Sequence, residues 1–229
     1  MLKPKKKISK REIKEDKLVS SYFEATNWYE KNKKLVSSII TGIVIVVIIA
    51  IVVRNNIAGN NEQAMTELAK VLPYYDQGNY EGAINGIPQN NVRGLTAIVA
   101  DYGSTKSGEF AKFYLANAYY TTQQYDKALE LYLDVSVGDN MIQASAYAGA
   151  GACYEAKADP ANAAEYFEKA AQFGKTNPQT VEYLHHAAMN YATAGEKEKA
   201  VTLLRKVKKE YPTTQLARDI EKYIAQINS

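Results

Sequence analysis

The chain holds 229 residues, 46% of them hydrophobic and 23% charged, a balance that excludes a disordered or low-complexity protein. A lone cysteine, Cys153, excludes an intrachain disulfide and a thiolate-rich metal site. The formal net charge of +3 is unevenly spread: eleven basic and five acidic residues precede Leu35 while the remainder is net acidic, so the balance gives no ground for nucleic-acid binding.

The first element in chain order is the basic arm 1–34. Its opening run KPKKKISKR suits anionic lipid, each Lys or Arg contributing about 1 kcal/mol near a charged membrane surface. The same run fits a nuclear-localisation pattern, a reading that the following apolar stretch opposes. Between Ile13 and Tyr29, Leu18, Val19, Tyr22, Phe23 and Trp28 stand among charged residues. That pattern fits a helix lying on the inner leaflet or, equally, a tethered cytoplasmic helix.

From Leu35 to Val53 the chain reads LVSSIITGIVIVVIIAIVV, without a charge. As a helix this run spans about 28 Å, close to the hydrocarbon thickness of a bilayer. Its β-branched residues are mediocre helix formers in water, but lipid forces the backbone to satisfy its own hydrogen bonds. A cleaved signal peptide is not expected, because the arm and the apolar run are too long and no small-x-small site follows Val53. Lys31, Lys33 and Lys34 precede the run and only Arg54 follows it closely, so the positive-inside rule keeps the arm in the cytoplasm. Residues beyond Arg54 then cross the membrane, into the periplasm of a bacterium, and 54–63 reads as a linker to a soluble domain at 64–229.

That domain carries an internal repeat. Tyr119, Tyr154 and Tyr191 each precede by nine residues an alanine (Ala128, Ala163, Ala200). Four positions on stand Tyr132, Phe167 and Leu204, and three further Val135, Ala170 and Val207. Small residues let two helices of a hairpin approach, and large ones fill the space between hairpins. Turn signals fall at Gln123-Gln124, Asp159-Pro160 and Ala194-Gly195, and Pro212 ends the last unit. The expected units are 109–140, 144–177 and 181–212. A degenerate copy at 64–106 carries Tyr74, Gly78, Tyr80 and Ala83; its second helix is broken by Asn85-Gly86 and Pro88, and a short helix around Leu95, Ile98 and Val99 replaces it. Leu216, Ile220, Tyr223, Ile224 and Ile227 share one face of a capping helix at 213–229.

These stretches resemble tetratricopeptide repeats, the last unit best through Tyr191, Gly195, Ala200 and Pro212, with Lys112 standing where the family prefers a large aromatic. The resemblance implies an all-α fold: a transmembrane helix followed by an α-solenoid of helical hairpins. It also implies a protein-binding groove lined by the first helix of each hairpin. By the register these residues are Met65, Leu68 and Tyr75, then Phe110, Phe113, Asn117 and Tyr120, then Glu155 with Ala148 and Ala152, and finally His185, Met189 and Ala192. The rings are confined to the N-terminal half, and aromatic residues and methionine are side chains that interfaces favour. Chaperone-binding members of the family grip a terminal carboxylate with lysine, asparagine and arginine. Asn117 matches one of these positions, but Phe113 stands in place of the lysine, so a cytosolic chaperone tail is not the expected partner.

No catalytic constellation is expected. Gly149-Ala150-Gly151 lacks the strand and lysine of a phosphate loop. His185 and His186 are adjacent and about 100° apart on a helix, so they cannot chelate one metal together. Cys153 beside Tyr154 reads as a buried thiol. The expectation is therefore a non-enzyme without cofactor or metal, whose partners are a protein and, through Leu35–Val53, a membrane. Topology and repeats together are similar to single-span bacterial inner-membrane proteins with a periplasmic tetratricopeptide domain, a group that includes the ancillary subunit of the Sec translocon. That likeness implies a scaffold in translocation, chaperone hand-off or envelope assembly; the alternative is an N-anchored receptor with its repeats in the cytosol.

Overall fold

The computed structural model describes residues 10–173 and 179–228. The run at residues 3–9 of the expected lipid-binding arm lies outside the described residues, as do the side chains of 10–18. The chain divides into two units, Met1–Asn56 and Ile57–Ser229.

In the first unit, α1 (Lys10–Asp76, continuing into the second unit) is helical throughout except at Asn32, whose φ of −112° and ψ of 16° mark a kink. The Asn32 side chain donates to the Trp28 carbonyl at 2.7 Å, a local competitor to the helical ladder. Beyond the kink an 18-residue stretch reaches a mean hydropathy of 3.1, and none of it is buried. By length and composition it is long and apolar enough to cross a membrane. The stretch 54–63, expected as a linker, is helix: its Asn and Gly residues are weak helix formers, but no Pro removes a ladder hydrogen bond before Pro73.

In the second unit the end of α1 is followed by α2 (Tyr80–Asn85), then by two short strands, β1 (Gly86–Ile87) and β2 (Val92–Arg93). The strands pair antiparallel with Gly86 opposite Arg93, around a 3-10 turn at Pro88–Asn90. The break in the degenerate unit was legible from Asn85-Gly86 and Pro88; the ribbon that fills it was not expected. Gly86 holds a φ of +93° and a Cβ on Gly94 would lie 2.4 Å from the Ile84 carbonyl oxygen, so both ends of the ribbon need glycine. The short helix α3 (Leu95–Tyr102) supplies buried Leu95 and Ile98 to the core.

Three hairpins follow: α4 (Lys106–Thr121) with α5 (Tyr125–Asp134), α6 (Asn140–Ala156) with α7 (Pro160–Phe173), and α8 (Thr180–Thr193) with α9 (Lys197–Glu210). Helices α4 and α6 start a few residues before the expected unit bounds because Thr105 and Asp139 act as N-caps, accepting from Gly108 N and from Met141 N and Ile142 N. The last helix, α10 (Gln215–Asn228), covers the end of the stack with Ala217, Ile220, Ile224 and Ile227. The whole unit is an all-α stack of tetratricopeptide-like hairpins.

Packing follows the small-and-large alternation. Ala128, Ala163 and Ala200 are fully buried. Their large partners are buried too: Tyr132 under Gly149, where a Cβ would approach the ring to 2.4 Å, and Phe167 under Gly151 at 2.9 Å. The core forms two clusters that meet on α6: Ala146, Ala150 and Cys153 belong to the N-terminal one, and Ala144 to the C-terminal one. Lys112 does not substitute for an aromatic; it ties α4 to α5 by bonding Glu109 at 2.9 Å and Asp134 at 2.7 Å.

Candidate functional site

The first helix of each unit ends in the same turn. Gly78, Gln123, Ala158 and Gly195 all adopt positive φ, between 57° and 86°. In each, the N–H of that residue and of the next fold back on carbonyls three and five residues upstream, as with Gly195 to Ala192 and Glu196 to Tyr191. This is the double bond of a Schellman cap, and its fourfold repetition includes the degenerate unit. The caps put Tyr75, Tyr120, Glu155 and Ala192 at one equivalent position, three residues before each left-handed residue. The register of the candidate groove is thus built into the backbone.

At its N-terminal half this register gathers rings. Tyr75 meets Tyr80 and Tyr114 edge-on, each at 5.3 Å between centroids. Phe113 contacts Tyr114 and Tyr132, each at 6.2 Å. Asn117 accepts from the Tyr132 hydroxyl at 2.5 Å and is also hydrogen-bonded to Tyr75. Burial first, then the neighbouring Tyr80, Tyr114 and Asp76, pushes the Tyr75 hydroxyl up to about 12, so it stays a neutral donor at any physiological pH. Tyr120 lies 5.5 Å from Tyr125, its hydroxyl likewise raised by burial and then by Cys153, Tyr125 and Glu155. The structure thus brings Tyr75, Phe113, Asn117 and Tyr120 to one wall, all of them half-buried.

The other expected groove residues fall differently. Leu68 is buried in the N-terminal core and offers no groove surface, since its neighbour Val71 and it share the inward stripe of α1. Met65 is exposed, and Phe110 is half-buried against the N-terminal core. Glu155 bonds Asn190 and faces His186 at 3.5 Å, bridging α6 to α8. His185 turns to the capping helix, its ring 4.7 Å from Tyr223, and Met189 packs against the C-terminal core. His186 instead stacks on Phe167 at 4.8 Å.

Sequence reasoning missed Tyr114 and Tyr125 as parts of the wall. Tyr132 is the buried spacer between hairpins that its repeat position implies, and its hydroxyl donates to Asn117 behind the wall. Tyr114 follows Phe113 directly; only the seat between α1 and α4, set by the degenerate unit, turns both rings to the same wall.

Cys153 is buried and its thiol is pushed up to about 12 by burial, the state of a packing residue and not of a nucleophile. Among the described residues no group of three or more His, Cys, Asp or Glu side chains could hold a metal ion.

Comparison with known proteins agrees with the hairpin geometry in its last unit: the tetratricopeptide-repeat family matches residues 182–214, which cover α8 and α9. Among solved structures the chain is similar to two crystal structures of the nearly identical TPR-like repeats of a Podosopora anserina protein named as a kinesin light chain. The first has 17% identity and a TM-score of 0.49, covering 73% of this chain and 95% of that one. The second has 17% identity and a TM-score of 0.48, covering 73% and 96%. No curated protein matches the chain.

Proposed function

We propose that this chain is a membrane-anchored scaffold whose hairpin stack binds protein segments along the ring-lined wall of Tyr75, Phe113, Asn117 and Tyr120. The observation that carries the reading is that wall: rings from α1, α4 and α5 are gathered on the register that the repeated caps define, and they stay only half-buried. Rings used purely as packing would be covered on both faces, as Tyr132 and Phe167 nearly are. Binding needs large apolar contact with a polar tip, which half-buried tyrosine supplies.

The anchor in this reading is the unburied apolar stretch of α1, with the lysine-rich arm in the cytoplasm and the hairpins in the periplasm of a bacterial inner membrane. A polypeptide-handling role in translocation, chaperone hand-off or envelope assembly follows from that side and from a wall of aromatic rings. The test joins topology and binding. A reporter fused after Ser229 should be active only outside the cytoplasm, and protease added to spheroplasts should digest the hairpins. A photo-crosslinker at Phe113 or Tyr120 should trap translocon or chaperone subunits. Phe113→Ala with Tyr120→Ala should weaken that partner's binding by about 2 kcal/mol, the scale of aromatic hot spots, at unchanged helical content. Loss of fold in the double variant, or crosslinks only to unrelated proteins, would overturn the assignment.

A further inference from the structure

Among the described residues four cations stack on rings: Arg93 on Tyr102, Lys127 on Tyr119, Lys169 on Tyr166 and Lys199 on Tyr191, at 4.2 to 5.6 Å. Tyr119 and Tyr191 are equivalent repeat positions, and each is covered by a lysine of the second helix of its own hairpin. The rings of the groove wall are treated otherwise. The charged and titratable neighbours of Tyr75, Tyr120 and Tyr132 are phenols, the buried Cys153 thiol, and the carboxylates Asp76 and Glu155.

The helices that form the wall withhold cations from it. The neighbouring helices α6 and α8 contain no Lys or Arg, their acids being Glu155 and Glu182, and Lys127 of α5 lies over Tyr119 and bonds Gln124. On α4, Lys112 is held by Glu109 and Asp134, while Lys106 opens the helix about 21 Å from Tyr120 at 1.5 Å per residue. Lys70 is bridged to Glu67 and Lys157 to Asp126. Glu155 receives Asn190 and His186 on one oxygen, Oε1, and its side chain stays 35% exposed.

An aromatic pair with an adjacent carboxylate, paired to a histidine but to no Lys or Arg, is the chemistry that recognises a guanidinium or ammonium group. Resting on the groove reading above, we propose that the wall selects Lys- or Arg-bearing stretches of an extended polypeptide, seating the cation on Tyr120 and Tyr125 with Glu155 as counter-charge. Phe113, Tyr114 and Tyr75 then take the apolar side chains that flank it. The partner so described is an unfolded, basic segment, not an acidic tail, and the clamp of the chaperone-binding relatives is reversed in sign.

The full chain in nanodiscs, titrated with three fluorescent peptides of one leucine-alanine pattern, tests this. The peptides carry arginine, norleucine or glutamate at the same positions. The arginine peptide should bind about tenfold tighter than the norleucine one, and the glutamate peptide weakest. Glu155→Gln, which keeps an acceptor for Asn190 but removes the charge, should bring the arginine peptide down toward the norleucine level at unchanged helical content. Tyr120→Leu should weaken the arginine peptide more than the norleucine one, narrowing the gap between them. Equal binding of the arginine and norleucine peptides overturns the cation preference and leaves the groove reading standing. Tighter binding of the glutamate peptide also overturns the preference, and failure of all three peptides overturns both readings.

Discussion

In the C-terminal hairpins, helices approach over alanine: Ala163, Ala170, Ala187, Ala188 and Ala200 are fully buried, with Leu204 and Ile220 filling the gaps. From Val71 to Tyr132 the alanines Ala83, Ala111, Ala116, Ala118 and Ala128 are buried as fully, but half-buried rings such as Tyr75, Phe113, Tyr114 and Tyr120 pack against them, and an irregular ribbon replaces most of a helix. Both regions carry the same left-handed caps at Gly78, Gln123, Ala158 and Gly195, so the backbone repeat does not depend on which solution the side chains take. The difference teaches where a solenoid can host a site. Alanine seams leave little side chain to offer a ligand, whereas a ring-filled unit exposes the edges of the rings that pack it. Helix α6 stands at the border, with Ala144 in one cluster and Ala146, Ala150 and Cys153 in the other.

The largest test of that border is Leu204→Ala, which removes a fully buried side chain from the alanine region. It should cost about 3 kcal/mol, within the usual span for such truncations. Hydrogen exchange should then show α8 to α10 opening before α3 to α5, because each repeat mainly contacts its neighbours. Uniform loss of protection would mean that the two regions are one cooperative unit and that α6 is no boundary. Next in size, Ala163→Leu overpacks the seam between α6 and α7 and should cost about 1–3 kcal/mol in urea unfolding. A smaller cost would show that the alanine seam can open as freely as a ring-lined one.

The caps provide a gentler probe, with a sign that differs by residue. Gln123 and Ala158 hold φ values of 62° and 57°, where a side chain is strained, and Gly195 holds 86° without strain. Gln123→Gly and Ala158→Gly should each stabilise by about 0.5–1 kcal/mol, the relief of strain exceeding the added freedom of the unfolded chain. Gly195→Ala should destabilise by about 1 kcal/mol. All three are read from thermal or urea unfolding, and equal signs at the three sites would deny the shared turn.

The repeat was legible because it is written in short-range terms: a tyrosine, a turn, an alanine nine residues on and a large residue after it. Those terms fixed the three hairpins, the capping helix and even the broken second helix of the first unit. What was hidden depended on distant partners. The ribbon at Gly86–Arg93 needs two strands of two residues, too short for any periodic signal. Residues 54–63 looked like a linker because Asn55, Asn56, Gly59, Asn60 and Asn61 are poor helix formers, yet the structure keeps them helical, with Asn61 accepting from Ser107 N at 2.8 Å. For the candidate groove, one-face arithmetic named Tyr75, Phe113 and Tyr120, which the structure leaves half-buried. It misplaced Leu68 because a helix face is about 100° wide and the core takes its share first.

The smallest expected effect lies where the two packing solutions give way to polar contacts, at Glu155, His186 and Asn190 between α6 and α8. Its partner Glu155, before burial opposes it, raises the affinity of His186 for a proton, and Glu182 adds to this. His186 therefore contributes stability that is present below the ordinary histidine range and is lost as pH rises through its raised value. Burial pushes the Glu155 carboxyl up, but bonds from His186 and Asn190 outweigh it, so its contribution is present above the ordinary carboxylate range and fades as pH falls through the lowered value. His185 runs the other way: burial and the charge of His186 lower it, so its share is lost on acidification. Comparing wild type with His186→Gln removes that common background. The difference in unfolding free energy should be greatest at mildly acidic pH and vanish in alkali. It should stay below about 1 kcal/mol, because the two side chains are 49% and 35% exposed and water screens them. A difference that grows with pH would show that His186 is held neutral and that α6 and α8 are joined by Asn190 alone.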